Sequence, residues 1–208
     1  MSYRLRIAKI SDAIKIADLH YSIRETGALG IFAMMGRPFL RTYYKLVLNE
    51  PNEIIICAEK NDGTMIGFNS CTLDADAQKR YLKKHAFRLA CSAVSSIIAN
   101  PKILKGLISR YKSLRSNSNI QYFVGTGVRG EYWAWSPKEK DPLGSVELNQ
   151  AYRGVLRSLG IKEVYYEVDS SNKKVVAYHK LHHDEVVDKI KLPDGRERYI
   201  MKSTLNKN

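Results

Sequence analysis

One long stretch of this 208-residue chain lacks acidic residues: between Ala77 and Ser118 there are ten Lys or Arg and no Asp or Glu. The chain also has no uninterrupted apolar segment long enough to span a bilayer. No N-terminal run joins a basic start, an apolar core and a small-residue cleavage site, so a cytoplasmic protein is the expectation. Three cysteines, Cys57, Cys71 and Cys91, make no C-x-x-C pair and no metal spacing, and read as buried reduced thiols. The absence of a Walker or G-x-S-x-G signature leaves P-loop and hydrolase chemistry without support. RNP-like aromatics, a helix-turn-helix pattern and a zinc finger are missing too, so nucleic acid is not an expected partner. There is no internal repeat and no low-complexity tract.

What the chain has is a net charge of +13, which calls for an anionic partner: a nucleotide-like small molecule, an acidic protein or a lipid surface. Its length fits one well-cored domain, residues 1–208. Tyr3 to Ala8 alternates as a strand, and Ser11 with Asp12 supplies a helix N-cap before the amphipathic run from Ala13 to Ile23. The glycine-bearing segment from Ala28 to Arg37 reads as irregular, and Pro38 as the first turn of a helix reaching about Leu48. Two apolar strands, Glu53 to Lys60 and Met65 to Leu73, flank the hairpin turn Asn61-Asp62-Gly63. Residues 75–119 then form a basic helical pair broken at Asn100-Pro101, whose cations include Lys83, Lys84, Arg88, Lys102, Lys105 and Arg110. A basic amphipathic surface over 79–115 suits an anionic membrane face or an acidic carrier protein.

The last third carries the chemistry. A strand from about Val128 to Trp135 runs into Ser136-Pro137 and a turn. A helix from there to Gly160, a strand from Val164 to Val168 and a helix opened by Asn172 follow, and Val186 to Lys191 pairs with Arg196 to Met201 around Leu192-Pro193-Asp194-Gly195. The adjacent His182 and His183 fall in a strand-like segment, where neighbouring side chains point to opposite faces, so no metal site is expected.

In its element order and in three motifs the chain resembles the GNAT acetyltransferase superfamily. Trp135-Ser136-Pro137 sits where the family has V-x-P, Val168-Asp169-Ser170-Ser171-Asn172 resembles V-x-x-x-N, and Tyr178-His179-Lys180-Leu181-His182-His183 resembles Y-x-K-x-G-F. The resemblance implies a mixed α/β (α+β) fold, with a mostly antiparallel central sheet, flanking helices and residues 75–119 inserted between the third and fourth strands. It implies an acyltransferase that takes acetyl-CoA or another acyl-CoA as co-substrate, needs no metal, and delivers the acyl group to an amine. An amino sugar of surface-polysaccharide synthesis is one such acceptor.

The implied donor site comprises Trp135, Ser136, Lys138, Lys140, Leu143, Gly144, Ser145 and Asn172. The family's Q/R-x-x-G-x-G/A pattern falls on Lys140, Leu143 and Ser145 without a gap, or on Glu139, Pro142 and Gly144 if anchored on the glycine. In both registers Pro142 removes one backbone donor from a phosphate cradle. Tyr178 is the implied proton donor to the departing thiolate. Its match needs a one-residue gap, and without the gap His179 takes the slot. Glu131, on the strand facing the acceptor, is the candidate base, and burial beside Tyr132 and Trp133 would raise its pKa. Two rivals stand beside this reading: a non-catalytic binding module of the same fold, and a transferase fed by an acyl carrier protein.

Overall fold

The computed structural model describes residues 3–23, 31–101, 103–104, 108, 127–192 and 195–205. Strand β1 (Tyr3–Ile7) leads through a short turn into helix α1 (Ala13–Ser22), then α2 (Ile31–Met34) and α3 (Gly36–Val47). Strands β2 (Glu53–Lys60) and β3 (Met65–Thr72) precede helices α4 (Ala75–Lys84) and α5 (Ala86–Ala99). Then come β4 (Arg129–Trp135), α6 (Pro142–Ser158), β5 (Glu163–Asp169), α7 (Lys173–Leu181), β6 (Glu185–Lys191) and β7 (Glu197–Thr204). The strands form one sheet in the order β1-β2-β3-β4-β5-β7-β6. Every neighbouring pair is antiparallel except β4 and β5, which run parallel.

Period-two alternation sorts the core onto the two faces of this sheet. Ile55, Cys57 and Phe68 pack with Ile16, Leu40 and Tyr44 of α1 and α3. On the other face Ile56, Cys71 and Val164 pack with Leu148, Tyr152 and Leu156 of α6. A smaller cluster seats Val176 of α7 on Val168 and Met201. The helical pair between β3 and β4 joins the first core, where Ala93 of α5 is buried and Leu89 and Ile97 pack against it.

Local details differ from the sequence reading for physical reasons. Asp12 does not cap α1 through its side chain. Its carboxylate accepts from the Lys9 N–H at 2.8 Å and from both terminal nitrogens of Arg6, and hydrogen bonds from Arg6 hold it below the usual carboxylate range. Helix α3 begins at Gly36, two residues before Pro38, which is tolerated because the first-turn amides lack intrahelical partners. Within the segment read as irregular, 31–34 is helical, and 24–30 lies outside the described residues. The basic helical stretch breaks first at His85, between α4 and α5. The polar loop 116–119 and Lys102, Lys105 and Arg110 lie outside the described residues. Cys57 and Cys71 are buried as expected, whereas Cys91 is exposed on α5. His182 and His183 close α7 rather than lying in a strand, with His183 at a φ of 58°.

The family's aliphatic slot at the end of β4 is filled here by Trp135, and two glycines make the room. A Cβ on Gly67 of β3 would collide with the Trp135 ring, and one on Gly144 of α6 would stand 2.6 Å from it. The Tyr3 ring meets Trp135 edge-on at 5.7 Å. This indole therefore sets the height at which the start of α6 rests on the sheet. Gly67→Val should overpack that contact and lower stability by ~1–3 kcal/mol, read as a fall in the urea midpoint with an unchanged m-value.

Candidate active site

Strands β4 and β5 pair at only two positions, Arg129 with Tyr165 and Gly130 with Tyr166. Opposite β3, Ser70 pairs with Tyr132 and Cys71 with Gly130, so Glu131 is the extra residue of a bulge, a device that bends its strand and re-aims side chains. Past that bulge the ladder between β4 and β5 ends, and among the described residues no other strand pairs with that edge of β4. The opening is a cavity of about 200 Å³ lined by Glu131 to Trp133 of β4, Tyr166 to Asp169 of β5, Asn149 of α6, and Asn172, Val175 and His179. Among the described residues, the buried Asn149 Oδ1 and Trp133 Nε1 on its wall have no hydrogen-bond partner.

His179 is the best-anchored side chain in this cavity. Its Nδ1 lies 2.7 Å from Asp184 Oδ2, and Asp184 Oδ1 accepts from Ser203 Oγ at 2.6 Å. Arg153 of α6 reaches both carboxylate oxygens at 3.3 Å. Burial alone would raise the Asp184 carboxyl, but hydrogen bonds from His179 and Ser203, with the Arg153 charge, outweigh it and hold the group below the usual range. An anionic Asp184 makes Nδ1 the protonated nitrogen, and among the described residues Nε2 has no hydrogen-bond partner. This couple was not foreseen in the sequence, where His179 figured only as the ungapped alternative to Tyr178. The signal was the Asp five residues on, which a helix end folds back onto the ring.

Tyr178 packs its ring edge-on against that of His179 at 5.7 Å. It also meets Trp133 at 4.8 Å and His182 at 4.1 Å, its buried hydroxyl has no partner among the described residues, and burial raises the phenol above its ordinary pKa. It is not among the cavity-lining residues. Asn172 lines the cavity and also caps α7, its Oδ1 accepting from the Val175 N–H at 3.3 Å.

The turn after β4 brings together most of the remaining residues expected to hold the donor. The Ser136 N–H bonds back to Ile66 O at 2.7 Å, and its Oγ accepts from the Lys138 N–H. Lys138, Lys140 and Leu143 are exposed, whereas Gly144 is buried under Trp135. At the start of α6 Pro142 has no N–H, and Asp141 Oδ1 takes the Leu143 N–H at 2.9 Å. Of the four amides that normally lack partners at a helix start, Pro142 supplies none and that of Leu143 is already taken. The helix dipole and two lysines favour an anion here, and the Asp141 carboxylate opposes it.

Glu131 Oε1 accepts from Arg129 Nε at 2.8 Å and from its NH2 at 2.6 Å, and Arg129 also donates to Gln78 of α4 at 2.7 Å. Beside this pair Glu53 is a second carboxyl with buried oxygens, which by geometry find no hydrogen-bond partner among the described residues. Burial pushes it up to about 8, the Glu131 charge adding to that and nearby Thr72 and Gln78 pulling weakly the other way. Nothing in the sequence marked Glu53, since a Glu opening a strand is normally solvated. Among the described residues no group of three or more His, Cys, Asp or Glu could hold a metal ion.

No protein-family model and no curated protein sequence matches the chain. Solved structures do match in fold. An N-acetyltransferase from Staphylococcus aureus Mu50 aligns with a TM-score of 0.62 at 11% identity, over 99% of this chain and all of that one. The acetyltransferase of GNAT family from Streptococcus pneumoniae aligns at 0.60 and 10% identity, over 98% and 99%. PaiA N-acetyltransferase from Thermoplasma acidophilum, in complex with coenzyme A, aligns at 0.59 and 12% identity, over 98% and 99%. The chain therefore has the GNAT fold, the mixed and mostly antiparallel sheet with flanking helices that the sequence suggested.

The buried Glu53 generates a pH prediction. Its pKa is raised from 4.5 to about 8 in the native state, so between those values the unfolded chain has released a proton that the folded chain keeps. Stability then falls as pH rises through the window. Glu53→Gln should remove that fall, so the difference in unfolding free energy between the two proteins should grow across the window in urea melts and level off above it.

Proposed function

We propose that this chain is an N-acyltransferase that moves an acetyl or other acyl group from an acyl-CoA to an amine. The observation that carries the proposal is the cavity between β4 and β5, where an unladdered strand edge, Asn149 and an Asp-held imidazole converge. The amides of an acyl-CoA arm need N–H and C=O partners, and the open edge of β4 supplies a row of both. The neighbour from Thermoplasma acidophilum is itself a coenzyme A complex of the same fold, which supports CoA as the donor carrier.

The acyl donor fits the cleft better than it fits the phosphate turn. Lys138, Lys140 and the dipole of α6 favour the pyrophosphate, while Pro142 and the capping Asp141 reduce its backbone donors. A hold of this kind depends on side-chain charge. The donor brings an activated thioester; the chain's residues orient it and manage two protons. Glu131, with Oε1 engaged by Arg129, accepts a proton from the incoming ammonium through Oε2 or a water. His179 Nε2, bare while Asp184 holds Nδ1–H, takes the second proton that the attacking nitrogen loses in the tetrahedral intermediate and passes it to the departing thiolate, its ring fixed as in other Asp-held imidazoles. Tyr178 remains the alternative donor suggested by the motif, and its burial against Trp133 favours His179. The Glu131 carboxylate on the acceptor side suits a cationic amine; an amino sugar is the acceptor the sequence resemblance suggests.

One observation favours a second reading. The Asp141 cap leaves few donors for a pyrophosphate, which suits a donor without one at that turn, such as an acyl carrier protein whose acidic surface meets this basic chain. Calorimetric titration with acetyl-CoA and free CoA separates the two. Asp141→Asn keeps the cap and removes the opposing charge, so CoA should bind it roughly two- to fivefold tighter. No heat from either protein, with turnover of an acylated carrier protein, would favour the second reading.

Once an amine acceptor is found, His179→Gln should lower kcat by ~10²–10⁴-fold. Tyr178→Phe should leave it nearly unchanged. The reverse pattern would return the acid role to Tyr178.

A further inference from the structure

Helix α5 carries two apolar stripes, and the fold uses one of them. Leu89, Ala93 and Ile97 face α3 and the first core. Phe87, Val94 and Ile98, at spacings of seven and four, form a second stripe more than a third of a turn away, and they are 83%, 49% and 74% exposed. Cys91 extends the same stripe and is exposed. The outer stripe runs for about 16 Å at the helical rise. Single exposed apolar residues need no explanation, but an ordered row that includes a Phe does.

The charges beside the row say what covers it. Lys79, Arg80, Lys83 and Lys84 of α4 and Arg88 of α5 are all exposed, and the sequence supplies no acidic residue from Ala77 to Ser118 to neutralise them. A second copy of the chain would complement the apolar row but would bring these cations against their own equivalents across a two-fold contact, which charge complementarity disfavours. An anionic lipid surface satisfies both features, with aliphatic and aromatic side chains entering the acyl boundary and cations lying at the headgroups. We infer that the α4–α5 hairpin is a docking face for an anionic membrane, with Phe87 and Ile98 as the inserting side chains. Because α5 is pinned to α3 by its other stripe, the protein docks as a folded body and only its side chains enter the lipid.

Flotation of the full chain with phosphatidylglycerol-rich vesicles, set against pure phosphatidylcholine vesicles, tests this. The protein should float with the anionic vesicles at low salt, remain behind with the neutral ones, and be released as salt rises. Phe87→Ser and Ile98→Ser should each weaken the partition roughly tenfold or more. Lys83→Glu and Lys84→Glu should each weaken it about fivefold or more. These four positions are exposed, and unchanged circular dichroism melts would establish that the variants fold. A second readout uses the thiols: Cys57 and Cys71 are fully buried, so an environment-sensitive fluorophore reacts at Cys91. Its emission should shift to the blue on anionic vesicles. No flotation at low salt, undiminished flotation in the Phe87 and Ile98 variants, or a fluorophore indifferent to vesicles would overturn the inference. A dimer that the same variants dissolve, with no lipid binding, would overturn it in favour of a second copy.

Discussion

The two backbone pairs that hold β4 to β5 are the constraint on which the cleft depends. A parallel pair that ends after Gly130 must either be covered or leave strand backbone without partners, and uncovered polar backbone is costly unless water or a ligand satisfies it. Here the bulge at Glu131 turns β4 away at the point where the pairing stops. The same residue that breaks the register thus lines the opening it creates. Sheet continuity is recovered through β5 and β7, which pair over the whole length of β5, so the opening does not divide the fold into separate halves.

What closes the floor of the opening is a buried charge cluster. Asp184 receives Ser203 from β7, Arg153 from α6 and His179 from α7, and so ties three elements that meet only weakly through apolar contacts. Such a cluster is an expensive way to gain stability, since each ion gives up hydration and breaking a buried pair costs roughly 3–5 kcal/mol. Its benefit is directional. Four groups at fixed distances leave the imidazole one orientation, whereas the small apolar cluster under α7 would tolerate several.

Much of the fold was legible because its signals are local. Strand β2 was bounded correctly at Glu53 and Lys60, since alternation and a Asp-Gly turn act over a few residues, and Asn172 announced α7 through its own side chain. Trp135 in an aliphatic slot could be seen but not explained, because the space for it comes from Gly67, far away in the sequence. The site was less legible for the same reason. A one-residue gap in a motif rotates a helical side chain by about 100°, enough to exchange Tyr178 for His179, and what favours His179 in the proposed mechanism is the tertiary position of Asp184. Glu131 stood out by its strand position, whereas Glu53 looked like an ordinary strand-start carboxylate until β2, β4 and α4 came together. Cys91 read as buried because its helix is apolar on two sides, and one sequence cannot say which side the core takes.

The charge distribution links the weak phosphate turn to the basic hairpin. A dianion held by several backbone amides is bound through short, directional contacts that salt hardly screens, whereas one held by Lys138 and Lys140 beside an opposing Asp141 relies on interactions that decay within a Debye length of about 8–10 Å. A chain with a net charge of +13 compensates in part by raising the local concentration of anions around its whole surface. That field does not distinguish a nucleotide from a lipid headgroup; distinction has to come from shape, with the cleft between β4 and β5 admitting a narrow arm and the flat row on α5 admitting only an extended apolar boundary. The two proposed roles therefore draw on one electrostatic property of the chain without competing for the same ligand.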